Sequence, residues 1–396
     1  MYKANMQKAK SLVLGITGGI AAYKAAELVR LLIKANIDVQ VVMTEAATQF
    51  ITPLTMQALS GKPAYVGMWD SNIDNGMPHI ELSRKADAIL IAPASAEFVA
   101  KLLHGRADDL LSTLCLARDC PLLIAPAMNK QMWENPATQR NFAQLRADNI
   151  RIFGPGNGEQ ACGETGDGRM HEAEQLLALV NAHFTPKILA NKKVLITAGA
   201  TIEMIDPVRG ITNLSSGKMG YDLAQAATDM GAKVTLISGL THLNPPDNVT
   251  MHKAESAGAM YQAVMHNIDE QDIFIGVAAV ADYAPSETAN QKIKKNTDIL
   301  NLQLKRNKDI LANVAALANP PFCVGFAAES EQIIEYASQK RIAKKLPLII
   351  ANDVSAMGSD DNQVTLIDRT GTHPLKQSTK IELAHRILEH ISKMIS

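Results

Sequence analysis

Cysteine is scarce in this chain. The four present (Cys115, Cys120, Cys162 and Cys323) form no Cys-x-x-Cys pair and no zinc-type spacing. That excludes a disulfide-stapled fold and makes a reduced, cytoplasmic protein the expectation. An excess of charge of one sign is missing too: 39 Lys and Arg stand against 40 Asp and Glu, for a formal net charge of -1. No global positive field exists to hold a nucleic-acid backbone or an anionic membrane, so partners must be recognised locally. No stretch approaches the ~18 uncharged apolar residues of a membrane span. The polar opening MYKANMQKAK runs straight into a short apolar strand, so no signal peptide is expected either. What remains is ordinary globular composition, 47% hydrophobic and 20% charged with 24 Gly and 17 Pro. At roughly 150 residues per domain, 396 residues give two or three domains.

The apolar segments set the architecture. SLVLGIT, a glycine turn, the amphipathic AAYKAAELVRLLIKAN and DVQVVMT read as a strand, helix, strand unit of parallel-sheet type. ADAILIAPASA and CPLLIAPAMN read as further buried strands around the helix DDLLSTLCLA. At NKKVLITAG the rhythm restarts, with the helix MGYDLAQAATDMGA and the strands KVTLISG and DIFIGVAAVADY. Two doubly wound α/β domains are expected, residues 1–188 and 189–396, joined through the polar stretch around Pro186.

Open α/β sheets bind ligands where strands end and helices begin, because free N–H groups there favour phosphate. Gly15, Thr17, Gly18 and Gly19 do not spell G-x-G-x-x-G, and Thr44 at the end of the next strand offers a hydroxyl to a phosphate. A mononucleotide is the reading, although Glu45 keeps a ribose contact open and a ligand-free tight turn has the same look. In the second half Ser215, Ser216, Gly217 and Gly220 open a helix without the G-x-x-x-x-G-K-[ST] pattern of a P-loop.

Longer motifs are more specific. GITGGIAAYK, VVMTEAA, PHIELSRKADAILIAPASA, PAMNKQMW and ACGETGDGRM resemble the flavin-dependent decarboxylases that act on 4'-phosphopantothenoylcysteine. ITAGATIEMIDPVRGITNLSSGKMG, FIGVAAVADY, KIKKN, NKDIL, GFAAE and IIANDV resemble phosphopantothenate-cysteine ligase. In this order they are similar to the bacterial bifunctional enzymes that make 4'-phosphopantetheine for coenzyme A. The resemblance implies a flavodoxin-like flavoprotein domain followed by a Rossmann-like, nucleotide-binding ligase domain. It also implies trimers of the first, dimers of the second, and a dodecamer of the whole.

For the decarboxylase, the resemblance gives His79, Asn129 and Cys162 catalytic roles, with FMN held by Thr17, Gly18, Gly19, Thr44, Ser95 and Ser112. FMN would oxidise the thiol to a thioaldehyde, an electron sink for the departing carboxylate, as side chains alone cannot. His79 would handle the substrate thiol and carboxylate, Asn129 would bind that carboxylate, and Cys162 would reprotonate the enethiolate. Each has a plainer reading: a structural histidine, an Asx cap before a helix, and an incidental loop thiol. GPGNGEQACGETGDGRM holds six glycines in seventeen residues, which predicts a mobile flap with no regular element. Cys115, Cys120 and Cys323 are expected in the core. Glu97 and Phe98 depart from the small polar residues that some relatives carry after APASA.

For the ligase, the resemblance implies activation of 4'-phosphopantothenate by CTP as an acyl-cytidylate, attack by L-cysteine, and release of pyrophosphate. CTP would be bound by Ser215, Ser216, Gly217, Gly276, Val277, Ala278, Asp282, Lys292, Lys308, Asp309, Ile310, Leu311, Phe326, Lys340 and Lys344. Lys292 is the catalytic lysine of that set, ahead of Lys294 and Lys295, and Asp282 ends its strand. Lys340 and Lys344 lie four apart on one helical face. A lysine run is also simply a solvated face, and Phe326 is also simply a core aromatic. Asp206, Arg209 and Asn213 would hold phosphopantothenate, with Asn213 on the activated acyl group. Magnesium is expected with the triphosphate, without a carboxylate cage.

Two other readings stand beside these. Some relatives of the first domain bind and regulate a partner without catalysis, but those lose the His, Asn or flap Cys that this chain retains. A nicotinamide-dependent dehydrogenase would need the dinucleotide fingerprint that both turns lack. A flavin spectrum separates them.

Overall fold

The computed structural model of the chain describes residues 9–68, 77–246, 248–294, 299–329, 331–353 and 361–395. The chain divides into two compact units, Met1–Phe184 and Thr185–Ser396, so the first unit ends four residues before the boundary read from the sequence. Among the described residues no helix is long and apolar enough to cross a membrane.

The first unit runs β1 (Lys10–Ile16), α1 (Ala22–Lys34), β2 (Ile37–Met43), α2 (Glu45–Thr48), α3 (Pro53–Ser60), α4 (Pro78–Lys85), β3 (Ala88–Ala94) and α5 (Ala96–Leu103). It continues with α6 (Leu110–Ala117), β4 (Leu122–Pro126), α7 (Lys130–Glu134), α8 (Pro136–Ala147), β5 (Arg151–Ile152), β6 (Gly156–Glu159), β7 (Thr165–Arg169) and α9 (Ala173–Phe184). The parallel sheet has the order β2-β1-β3-β4-β5, the flavodoxin-like winding, whose direction switches between β1 and β3. β3 is buried along its whole length because helices cover both faces. Leu12, Leu14, Leu28 and Leu176 pack on one face, and Val13, Ile89, Phe98 and Phe142 on the other. Thr44, Thr52, Ser95, Asp109, Asn129 and Asn135 each accept a backbone N–H in the first turn of the following helix, which fixes where the chain leaves the sheet.

The glycine-rich segment corrects an expectation. It forms the antiparallel β6–β7 hairpin rather than an irregular flap, paired Glu159 to Thr165 with Cys162 in the turn. Only backbone pairing is needed there, and Gly163 (φ +84°) and Gly168 (φ +125°) take up left-handed geometry that closes and bends the ribbon.

The second unit runs β8 (Lys193–Ala198), β9 (Ile202–Met204), β10 (Gly210–Thr212), α10 (Lys218–Asp229), β11 (Lys233–Ser238), β12 (Val249–Lys253), α11 (Ala257–Asn267) and β13 (Ile273–Gly276). There follow β14 (Tyr283–Pro285), β15 (Leu304–Arg306), α12 (Ile310–Ala315), β16 (Phe322–Glu329), α13 (Ile333–Ala343) and β17 (Leu348–Asp353). The chain closes with β18 (Asp361–Asn362), β19 (Val364–Ile367), β20 (Thr372–Pro374), β21 (Ser378–Thr379) and α14 (Lys380–Ile395). The eight-stranded order is β12-β11-β8-β13-β16-β17-β19-β20, with the last two strands antiparallel. Numbered along the chain, its six parallel strands read 3-2-1-4-5-6, the Rossmann winding, with its switch between β8 and β13. α10 and α14 cover one face through Leu223, Ala227, Leu383 and Ile387, and Met260, Phe274 and Val314 fill the other. At Gly220 an added Cβ would sit 2.5 Å from the Ala198 Cβ, so only glycine lets α10 lie this close to β8.

β13 also corrects the sequence reading. The strand stops at Gly276, and residues 277–282 form a loop rather than the strand end expected to carry Asp282. Past the strand a single backbone bridge persists at Ala279, whose N–H donates to Gly199 O (2.9 Å) and whose carbonyl accepts the Thr201 N–H (3.2 Å). Side-chain hydroxyls take donors on either side: Ala278 N–H donates to Thr197 Oγ1 (3.3 Å) and Ala281 N–H to Thr201 Oγ1 (2.9 Å).

Candidate active sites

In the first unit, the β1/β3 switch gathers Thr17 and Ser95. The buried Thr17 hydroxyl donates to the Pro93 carbonyl at 2.8 Å and accepts from the Ser95 N–H at 2.9 Å, stitching the two strand ends together. Thr44 follows β2 and caps α2. Gly18 packs against Ala46, where a Cβ would come within 2.6 Å, whereas a Cβ on Gly19 would meet nothing within 4 Å. Ser112 does not fit an exposed ligand edge. It is fully buried, and its hydroxyl is spent on the Asp109 N–H and carbonyl in the capping box of α6. The departures after APASA resolve simply, since Phe98 is core at 1% exposure and Glu97 reaches Lys101 on the surface.

His79 lies in the first turn of α4, half-buried, and its Nδ1 is buried with no hydrogen-bond partner among the described residues. Such an atom carries a desolvation penalty that a bound group would relieve. Asn129 caps α7 through Oδ1 (Met132 N–H, 3.0 Å), as the plainer reading expected. Its Nδ2 begins a chain: it donates to Gln131 Oε1 (3.0 Å), Gln131 Nε2 donates to Glu164 Oε1 (2.5 Å), and Glu164 Oε2 lies 3.6 Å from Cys162 Sγ. Two of the three expected catalytic residues are thereby joined.

Further contacts seat the hairpin on the segment that holds Asn129. Gln160 accepts the Lys130 N–H and donates to the Asp167 carbonyl, while Met128 N–H donates to Gly168 O. At the hairpin base the buried Lys24 donates to Met170 O (3.0 Å) and Glu172 (2.8 Å), and Glu172 also takes Arg169. Lys24 and Arg169 together hold the Glu172 carboxyl below its usual range. Sequence reading missed Gln131, Gln160, Glu164 and Lys24. The position of Gln160 and Glu164, two residues either side of Cys162, was the available signal. Cys162 is exposed, whereas burial pushes the Cys115 and Cys323 thiols up to about 12, as core residues. Cys120, expected in the core, is half-buried.

In the second unit a cleft of about 160 Å³ opens at the carboxyl ends of β13 and β16, beside the β8/β13 switch. Its walls hold ten of the residues named for CTP: Gly276, Ala278, Asp282, Lys308, Asp309, Ile310, Leu311, Phe326, Lys340 and Lys344. Arg306 and Asn307 line it as well and were not foreseen. Asn307 explains the convergence. Its N–H donates to Asp282 O and its Nδ2 to Ala281 O, both at 2.8 Å, tying the loop after β13 to the segment that carries Lys308. Burial would raise the Asp309 carboxyl, but Lys344 at 2.6 Å and the Ala312 N–H that it caps outweigh that and keep it below the usual range.

Val277, Ser215, Ser216, Gly217 and Lys292 do not line this cleft. Gly217 instead starts α10 at φ +81°, packed against Gly199. Asn213 donates to Ala279 O at 2.9 Å, so it does sit at the switch point. Asp206 is buried and its carboxylate is filled from within: it accepts from the N–H groups of Val208, Arg209 and Ile293 and from the Arg209 guanidinium. Arg209, with those backbone donors behind it, holds the Asp206 carboxyl far below the ordinary range. The residue expected to touch phosphopantothenate therefore clamps Arg209 and the loop of Lys292 instead. Arg209 also reaches Ile293 O at 2.9 Å. Lys292 and Lys294 are exposed on that loop, and Lys295 lies outside the described residues.

Residues 1–185 match the family model described as Flavoprotein, and residues 189–395 the model described as DNA/pantothenate metabolism flavoprotein C-terminal domain. The coenzyme A biosynthesis bifunctional protein CoaBC of Vibrio vulnificus (strain YJ016) is 50% identical over 393 residues, 98% of each chain. That of Escherichia coli (strain K12) is 46% identical over 391 residues, 96% of each chain. A crystal structure of the C-terminal domain of a coenzyme A biosynthesis bifunctional protein CoaBC is 40% identical with TM-score 0.47, covering 53% of this chain and 98% of that one. Full-length relatives near half identity, together with family models spanning both units, establish that the chain belongs to the bifunctional coenzyme A biosynthesis proteins, the phosphopantothenoylcysteine decarboxylases and phosphopantothenate-cysteine ligases that its motifs resemble.

Proposed function

We propose that the C-terminal unit, residues 189–396, joins 4'-phosphopantothenate to L-cysteine using CTP, through an acyl-cytidylate with loss of pyrophosphate. The N-terminal unit, residues 1–188, then decarboxylates the 4'-phosphopantothenoylcysteine with FMN to give 4'-phosphopantetheine. The observation that carries this reading is the hydrogen-bonded path from Asn129 through Gln131 and Glu164 to Cys162. It unites a carboxylate-binding amide with a proton donor on one surface.

The open space at Gly19 and the His79 Nδ1, without a partner among the described residues, fit a bound flavin and substrate. FMN, when bound, supplies the electron acceptor. Asn129 keeps one Nδ2 hydrogen on Gln131 and offers the other to the departing carboxylate. His79 orients the thiol end, and Cys162 holds the proton delivered after carbon dioxide leaves.

In the ligase cleft Arg306, Lys308, Lys340 and Lys344 neutralise the triphosphate, and Phe326 faces base or ribose. Magnesium enters with the nucleotide, since no three-ligand carboxylate cage lines the cleft among the described residues. Lys292 stabilises charge building on pyrophosphate, and Asn213 holds the acyl group for cysteine. Trimeric decarboxylase and dimeric ligase contacts, a dodecamer and a cytoplasmic location belong to the same proposal.

Quenched mixtures assayed for pyrophosphate and by mass spectrometry test it. Asn213→Asp should release pyrophosphate and accumulate acyl-cytidylate without forming the amide, while Lys292→Gln should release little pyrophosphate. The reverse pattern would overturn these roles.

A further inference from the structure

Asp368, His373 and His390 lie outside both sites and come from three places in the chain: the turn after β19, the strand β20 and the helix α14. Asp368 is 5% exposed. Its Oδ1 is saturated by the Thr370 N–H (2.6 Å), the Thr370 hydroxyl (2.6 Å) and the Gly371 N–H (3.2 Å). Its Oδ2 is met by two imidazole nitrogens, His390 Nε2 at 2.9 Å and His373 Nε2 at 3.2 Å. His373 Nε2 also lies 3.2 Å from the Thr370 hydroxyl.

We propose that these three side chains form a binding site, open at its fourth position, for a divalent metal ion of zinc type. Two imidazole nitrogens and one carboxylate oxygen are a borderline donor set that suits zinc, whereas magnesium and calcium take oxygen ligands. Bonds of ~2.0–2.1 Å in tetrahedral geometry place ligand atoms about 3.3–3.4 Å apart, so the two Asp–His gaps need open by only a few tenths of an ångström, and the two imidazole nitrogens, within 4.8 Å of each other, must settle at the same separation. The hydrogen bonds to Oδ1 orient the carboxylate as outer-shell partners do at metal sites. The half-exposed side of His373 leaves room for a water as fourth ligand. The ion would latch α14, which buries Leu383, Ile387 and Ile391 in the core, to the β19–β20 hairpin. It serves the fold of the C-terminal unit and stands apart from the ligase cleft, none of whose lining residues it uses.

The test uses the full chain, stripped of metal with a chelator and then titrated with zinc, or with cobalt(II) as a coloured substitute. Wild type should bind one equivalent with low-coordinate cobalt absorption, and its melting temperature should rise on zinc addition. His373→Gln and His390→Gln should each weaken binding by ~10–100-fold or more, and the double variant should lose both the colour and the rise. All three variants should keep phosphopantothenate ligation. If zinc left the melting temperature of wild type unchanged, or raised that of the double variant equally, the cluster would be a hydrogen-bonded Asp-His-His group and the metal site would be refuted.

Discussion

Cys162 carries its thiol on an exposed turn, directed at Glu164 and tied through Gln131 to Asn129. If it delivers the late proton, Cys162→Ala should keep flavin bound and still release carbon dioxide, yet stop before the final reduction. Mass spectrometry should then find the oxidised enethiol, and normal 4'-phosphopantetheine yield would count against the role. Asp206 behaves differently. A carboxyl held down in the folded state by Arg209 adds stability at pH values above its ordinary value of 3.8, and that stability is lost as pH falls toward its folded value. Asp206→Asn should therefore lower the melting temperature of the C-terminal unit at pH 7, with the gap to wild type narrowing from about pH 5 to pH 3. A gap independent of pH would show that lost packing, not charge, is responsible. The residue types were legible in the sequence at these positions, but their partners were not. Asp206 meets Ile293 from 87 residues away, and no local pattern encodes that encounter.

The elements divide by how their sequences signal them. β1, β3, β8 and α10 were readable because continuous apolar runs and 3.6-residue periodicity report burial directly. Capping residues such as Ser95 and Asp309 mark helix starts by the same local chemistry. β6 and β7 carry no apolar alternation, so the only sign of them was glycine, which equally suits an unstructured loop. The end of β13 was misread for the converse reason: GVAAVADY stays apolar past the point where regular pairing gives way to one backbone bridge at Ala279 flanked by the Thr197 and Thr201 hydroxyls. The hairpin makes a testable demand. At Gly168, with φ +125°, a Cβ would stand 2.5 Å from Met128 O, so Gly168→Ala must lift the ribbon off the Asn129 segment. Decarboxylation should fall by ~100-fold for a displacement near 1 Å, with flavin binding and the melting temperature of the N-terminal unit largely retained. Unchanged turnover would mean that this seating does not position Cys162.

Across the whole molecule, two sheets with parallel cores and different windings, flavodoxin-like and Rossmann-like, each bring their candidate residues to the carboxyl ends of strands beside a switch point. Each unit has its own two-sided core, and the described clusters divide between them without sharing a residue. Residues 1–185 expressed alone should purify yellow and decarboxylate, and residues 189–396 should be colourless and ligate. A folded but colourless N-terminal fragment would contradict that division. The most direct measurement joins the two chemistries in the intact chain: 4'-phosphopantothenate, L-cysteine, CTP and magnesium are supplied together, and the products are identified by mass spectrometry. The account predicts 4'-phosphopantetheine, with pyrophosphate and carbon dioxide each formed in equal amount to it. Phosphopantothenoylcysteine accumulating without carbon dioxide, or no CTP-dependent product at all, would contradict it.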